Sequence, residues 1–171
     1  MSYTIGLDYG TNSVRCVIVD TSNGRELGTA IYEYETGQAG IILDSSDHNV
    51  ARQNPADYLK GIEVTIAGAI AEAKKAEPKF NPKDIVGIGV DTTGSTPLPV
   101  DKDGTPLAML DAYKDNPNAH AWLWKDHTGY AEAAEITGVP IGTIMSRLGR
   151  ARASLKSLTA ETGEPRLRAV K

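Results

Sequence analysis

Residues 1–34 constrain the fold more than any other stretch of this chain. Between Tyr3 and Asp20 two β-rich runs flank a short polar turn that contains glycine, the pattern of a hairpin. Thr21-Ser-Asn-Gly24 is a second turn, and Leu27 to Tyr34 supplies a third strand. The chain therefore opens with an antiparallel three-stranded meander whose first turn carries Asp8, Gly10 and Thr11.

At 171 residues there is room for one domain, or for one domain with a small helical appendage. Apolar residues at 40% and charged residues at 23% exclude the disordered and fibrous classes. No run approaches the roughly 18 apolar residues of a membrane span, and no basic-then-apolar leader precedes the first strand, so a cytoplasmic protein without membrane partners is expected. Cys16 is the single cysteine, which rules out an internal disulfide or a cysteine-built zinc site and makes it a core residue. The formal charge of −4 is unevenly spread: residues 138–171 hold 7 Lys/Arg against 2 Asp/Glu, the remainder 11 against 20. An acidic body with a basic tail suggests two functional units or an arm for nucleic acid or a partner, with a solvated helix face as the alternative.

The loop from Glu35 to Asn54 reads as polar and irregular. From Pro55 to about Lys75, Leu59, Ile62, Ile66, Ala69, Ile70 and Ala73 recur at spacings of three and four, predicting an amphipathic helix opened by Pro55. Ile85 to Val90 reads as a buried strand running into Asp91-Thr-Thr-Gly-Ser-Thr-Pro97, followed by a short strand from Leu98 to Val100 and a turn at Asp101-Lys-Asp-Gly104. Three antiparallel strands, a helix and a strand, in that order, begin a ribonuclease-H-like, actin-like α/β layer. Pro117 to Ile136 is predicted helical in at least two pieces and Thr137-Gly-Val-Pro140 is a turn. A last amphipathic helix presents Ile141, Ile144, Met145, Leu148, Leu155 and Leu158, with a frayed basic tail over 159–171.

Two turns carry chemistry. In Asp8-x-Gly10-Thr11 the glycine admits close backbone approach, successive N–H groups can form an anion nest, and the threonine hydroxyl adds a donor. A carboxylate beside phosphates needs a cation between them, so Asp8 reads as a ligand of Mg²⁺ or of its waters. The same residues also favour ordinary turns. Asp91 to Pro97 lies at the carboxyl end of a strand, where open α/β sheets bind ligands, and its hydroxyls suit a polyol. His48, His120 and His127 are too scattered for a metal motif; His127 adjoins Asp126 and is a candidate substrate contact, with a structural or exposed role as the alternative.

Gly6-Leu-Asp-Tyr-Gly-Thr-Asn-Ser-Val-Arg15, Gly87-Ile-Gly-Val-Asp-Thr-Thr-Gly-Ser95 and Trp124-Lys-Asp-His-Thr128 resemble the N-terminal region of the FGGY carbohydrate kinase family, in its ribulokinase branch. Asp103-Gly-Thr-Pro-Leu107 and Asn116-Pro-Asn-Ala-His120 extend the resemblance over residues 1 to about 136. It implies an actin-like fold that transfers the γ-phosphoryl of ATP to L-ribulose or a related ketopentose. Asp8, Gly10, Thr11, Asn12 and Ser13 would then face the phosphates and Mg²⁺, while Gly94, Ser95, Trp124, Lys125 and Asp126 would face or flank the sugar. The family's catalytic carboxylate and adenosine site fall in a later domain, so no catalytic base is assigned here and negligible kinase activity is expected of this chain alone. Strands left without partners would present an open edge and invite self-association.

Tyr130 to Leu155 also resembles region 4 of extracytoplasmic-function sigma factors, in which a helix pair forms a helix-turn-helix. That resemblance implies a segment over 137–158 with Thr143, Ser146, Arg147 and Arg150 as DNA contacts, and DNA or RNA polymerase as partners. Against it stands packing of the last helix on the sheet with its arginines in solvent.

Overall fold

The computed structural model describes residues 1–147, 149, 150 and 153. They fall into two compact units, Met1–Asp126 and His127–Lys171.

In the first unit the meander forms as the alternation predicts. Strands β1 (Tyr3–Tyr9), β2 (Ser13–Asp20) and β3 (Glu26–Glu33) pair antiparallel, with Asp8 opposite Arg15 and Ser13 opposite Glu33. Tyr3, Ile5, Leu7, Val14, Cys16 and Ile18 are buried on one face. The 35–54 segment is more ordered than its composition suggests, because it contains β4 (Ile42–Leu43) and β5 (Ala51–Gln53), the latter buried at every residue.

Helix α1 (Pro55–Ala76) starts with Pro55 in its first turn, and the Asn54 side chain accepts the Ala56 N–H. Its buried stripe is Gly61, Thr65, Ala69 and Ala73, small residues at every fourth position. Ile62, Ile66 and Ile70 flank that stripe against the core, whereas Leu59, expected on the packed face, is exposed. Small residues win the contact because α1 lies so close to β3: a Cβ on Gly28 would stand 2.2 Å from the Ala69 carbonyl oxygen.

After a 3-10 turn at Pro82–Asp84, β6 (Ile85–Thr92) joins β1 in parallel, giving a sheet of order β3-β2-β1-β6. The expectation of a buried strand fails here. Val86, Ile88 and Val90 are exposed, because α1 covers β2 and β3 and leaves β6 bare. Leu98 to Val100 is reduced to a single bridge, Val100 with Pro106, which closes the predicted turn at Asp101 to Gly104.

Residues 117–124 are not helical beyond one 3-10 turn at Pro117–Ala119. Instead β7 (Ala121–Trp122) pairs with β5 in a second small sheet, β4-β5-β7. Ala121 and Leu123 are buried with Trp122 between them less so, the two-residue period of a strand that the alanines and tryptophans had masked.

The second unit holds α2 (Tyr130–Thr137), closed by Gly138 at φ 62° in the left-handed region. Residues 141–147 are helical, and Ile141 and Met145 are exposed rather than packed. Leu148, Leu155, Leu158 and the tail from 159 lie outside the described residues. No helix among the described residues is long and apolar enough to cross a membrane.

Candidate active site

Because β1 and β6 run parallel, the two turns singled out above emerge side by side from the same end of the sheet. Thr93 N–H donates to the Tyr9 carbonyl at 3.0 Å, and Asp8 stands directly opposite Asp91 in the register. On its other side Asp8 meets Arg15 across the hairpin at 2.9 Å, both side chains about half exposed. A row of one cation and two carboxylates therefore crosses three strands next to the first turn.

In that turn Gly10 N–H donates to the Ser13 carbonyl at 2.9 Å, so one member of the anticipated nest is already used to close the hairpin. The Asn12 amide donates to the Ala39 carbonyl at 2.6 Å, and the Tyr34 N–H to the Asn12 carbonyl at 2.9 Å. Thr11 is held from two further directions: Gln53 Nε2 donates to its carbonyl at 2.7 Å and Trp124 Nε1 to its hydroxyl at 3.2 Å. Asp8, Gly10, Thr11, Asn12 and Ser13 are thus brought together in one braced turn. Their donor set, a half-exposed carboxylate with a hydroxyl and backbone N–H groups, suits Mg²⁺ with a phosphate. Among the described residues no three His, Cys, Asp or Glu side chains gather, so a cation would complete its shell with water and phosphate oxygens.

In the second turn Ser95 adopts φ 59°, an uncommon conformation for a residue with a side chain, and a Cβ on Gly94 would meet nothing within 4 Å. Both residues are exposed at the loop surface. Trp124 is half exposed and lies at the first turn, with Lys125 Nζ 5.2 Å from its ring centre.

Asp126 is placed differently from the other sugar-side candidates. Its carboxylate, 4% exposed, pairs with the Arg52 guanidinium, 1% exposed, and accepts the Ala51 N–H at 2.8 Å. Arg52 also donates to the Pro117 carbonyl at 3.2 Å and lies 3.7 Å over the Trp122 ring. This carboxylate binds β5 to the end of the 121–126 segment instead of opening onto the loop surface. In the second unit His127 stacks on Tyr130, whose hydroxyl lies 3.0 Å from its Nδ1, so that ring has an internal partner. Thr143, Ser146, Arg147 and Arg150 follow one another on the helical segment; the Ser146 hydroxyl donates back to the Thr143 carbonyl at 3.0 Å, and both arginines are exposed.

Behind the two turns lies a cavity of about 310 Å³ between Tyr9, Tyr34, Tyr58, Thr93, Thr96 and Leu98. Tyr34 and Tyr58 meet edge to face at 5.6 Å, as do Tyr9 and Tyr58 at 6.1 Å. The Tyr58 hydroxyl donates to Gln53 Oε1 at 2.8 Å, which links the cavity to the brace on Thr11. Burial, followed by the nearby Asp57 carboxylate, pushes the Tyr58 phenol up to about 12, and burial raises Tyr34 and Tyr9 as well. The Tyr34 hydroxyl and the Thr96 hydroxyl are buried without a hydrogen-bond partner. Each such group costs about 1–3 kcal/mol of desolvation.

Arg52, Gln53, Tyr34 and Tyr58 were not among the residues picked from the sequence, whereas Thr96 belongs to the Asp91–Pro97 turn singled out there. The only signal was indirect: a polar pair, Arg52-Gln53, immediately before a helix cap.

The sequence matches the FGGY family of carbohydrate kinases, N-terminal domain, over residues 3–148. The match continues through 148, and so takes in most of the stretch that resembles sigma region 4. A ribulokinase of Vibrio parahaemolyticus is 41% identical over 134 residues, 78% of this chain and 23% of that protein. One of Halalkalibacterium halodurans is 39% identical over 138 residues, 78% of this chain and 24% of the relative. The chain thus spans about a quarter of the length of these curated relatives. Among solved structures, a xylulose kinase of Brucella ovis superposes with TM-score 0.56 at 25% identity, over 78% of this chain and 23% of that one. A ligand-bound xylulose kinase of Lactobacillus acidophilus gives 0.55 at 18%, over 81% and 23%, a likeness of fold.

Proposed function

The chain belongs to the FGGY family of carbohydrate kinases, and on that footing we propose that it supplies the phosphate-side wall of a ribulokinase-type active site, for transfer of the ATP γ-phosphoryl to L-ribulose or a related ketopentose. One observation carries the reading: the Asp8–Ser13 turn and the Asp91–Pro97 turn leave adjacent parallel strands at the same end and are hydrogen-bonded to each other through Thr93 and Tyr9. ATP would supply the transferred group and Mg²⁺ the neutralising charge.

The residues present have distinct tasks in that reading. Asp8 orients the cation and its waters, and Arg15 balances the carboxylate. Thr11 offers its hydroxyl to a phosphate oxygen from a turn that Gln53 and Trp124 keep rigid, which matters because phosphoryl transfer depends on positioning and preorganised charge. Gly94, Ser95, Trp124 and Lys125 border the sugar. Asp126 serves the site at one remove, by anchoring the segment that carries Trp124 and Lys125.

Replacing the corresponding region of the Vibrio ribulokinase with residues 1–136 of this chain tests the proposal. The hybrid should form ADP in a ribulose-dependent reaction that Asp8→Ala reduces by about a hundredfold or more. A folded hybrid that binds Mg·ATP and ribulose yet turns nothing over would refute it. A polypeptide of these 171 residues alone, which spans about a quarter of the length of its ribulokinase relatives, should form no ribulose-dependent ADP, because its two turns stand open to water where phosphoryl transfer requires a dry, closed site.

A further inference from the structure

We propose that Tyr58 is a positioning residue for the phosphate-side turn, acting through Gln53: its hydroxyl holds the Gln53 amide in one orientation, and the amide in turn holds the Thr11 carbonyl. The proposal rests on the kinase reading above, in which Thr11 offers its hydroxyl to a phosphate oxygen.

The relay originates in how a helix begins. Asn54 is the N-cap of α1, so Gln53 stands just before the cap and Tyr58 is the fourth residue of the helix. Side chains at these two positions meet across a helix start, usually as an apolar pair. Here the contact is a hydrogen bond, 2.8 Å from the Tyr58 hydroxyl to Gln53 Oε1. From the other end of the same amide, Nε2 donates to the Thr11 carbonyl at 2.7 Å, across 42 residues of sequence.

Donor and acceptor chemistry gives this chain of bonds a single direction. A carbonyl only accepts, so Gln53 has to turn its NH₂ group toward Thr11 and its oxygen toward α1. Gln53 is 1% exposed, and a buried acceptor without a donor is costly. The Tyr58 O–H meets that need, and burial, which raises its phenol to about 12, keeps it a protonated donor at neutral pH. Edge-to-face contacts with Tyr9 at 6.1 Å and Tyr34 at 5.6 Å hold the ring that delivers it. At the far end of the relay, Trp124 Nε1, which can only donate, engages the Thr11 hydroxyl oxygen at 3.2 Å. Both Thr11 oxygens therefore accept from the protein, and the hydroxyl proton is left for an incoming phosphate oxygen. Phosphoryl transfer depends on donors aimed in advance in this way.

The test uses the whole chain. Amide hydrogen exchange followed by NMR reads the Gly10 N–H, which closes the turn on the Ser13 carbonyl at 2.9 Å, against amides of β2 and β3, which report wider opening. Tyr58→Phe keeps the ring and removes one hydroxyl; it should speed exchange at Gly10 about fivefold and leave the strands unchanged. Gln53→Met, of similar shape, should speed it about tenfold. The double variant should exchange no faster than Gln53→Met alone, because the tyrosine acts only through the amide, whereas a tyrosine that merely packs would add its own effect. Unchanged exchange at Gly10 in Tyr58→Phe, an equal rise in the strands, or additive effects in the double variant overturns the proposal. Titration with magnesium tripolyphosphate, read at residues 10–13 with Asp8→Ala as control, reports on the phosphate reading. The parent should bind it, and Tyr58→Phe about fivefold more weakly; equal affinity in Tyr58→Phe also overturns the proposal. No binding by the parent, with the exchange results intact, would count against the kinase reading and leave the relay standing as the brace of the turn.

Discussion

Asp126→Asn separates two roles for one carboxylate. The side chain is nearly isosteric and keeps an acceptor for the Ala51 N–H, so the change removes little besides the charge that faces Arg52. Arg52 is 1% exposed, and burial alone already pushes its pKa down. Breaking such a pair from one side costs about 3–5 kcal/mol, because the other charge is left in a poor solvent. Retention of the acceptor argues for the lower figure, about 3 kcal/mol. For a unit of this size that corresponds to a fall in melting temperature of roughly 10–15 °C. Thermal unfolding followed by circular dichroism, with urea unfolding as a check, measures it. The paired replacement Arg52→Met with Asp126→Leu should cost less than either single change, since it removes both charges together. An Asp126→Asn protein that melts within about 2 °C of the parent but has lost its response to ribulose would refute this reasoning and return the carboxylate to the sugar.

Other expectations can be checked on the same material. Gly28→Ala places a Cβ 2.2 Å from the Ala69 carbonyl oxygen and 2.6 Å from the Ala73 nitrogen, and should cost at least about 1–3 kcal/mol in urea unfolding, since the helix backbone has to move. Arg15→Ala removes a half-exposed ion pair with Asp8 and should change stability by less than about 1 kcal/mol, while altering the magnesium dependence of ATP binding. Stability should fall as the pH rises from 10.0, the ordinary phenol value, towards about 12, the raised value of Tyr58. Over that range the unfolded chain releases phenol protons that the folded one retains, so unfolding is favoured. Tyr58→Phe should flatten part of that slope in pH-dependent urea midpoints.

The meander was legible because alternation survives in strands of seven and eight residues, and α1 because its apolar period persists for several turns. Strands β5 and β7, of three and two residues, are too short to show a period. Their pairing is held by contacts between Arg52 and Asp126, far apart in sequence, which no local pattern records. The run from Ile85 to Val90 looks the same whether or not a helix covers it, and so burial was overestimated. The first turn was recognisable as a turn because glycine and small polar residues interrupt two alternating runs, while its link to phosphate came only with the family resemblance of the surrounding motif. Its braces, Gln53 and Trp124, act through distances that only the folded chain sets, and Tyr34 announces itself only by lacking a partner.

The close seat of α1 on Gly28 has a mechanical side. Ala69 and Ala73 rest almost backbone to backbone against β3, and Tyr58, which lines the cavity, lies eleven residues earlier on the same helix, about 16 Å along a rod that rises 1.5 Å per residue. The glycine contact is therefore a fulcrum and the tyrosine the end of a lever. A side chain that lifts the helix at residue 28 tilts the far end as well, so that a substitution well removed from the cavity would register there as a change in its shape.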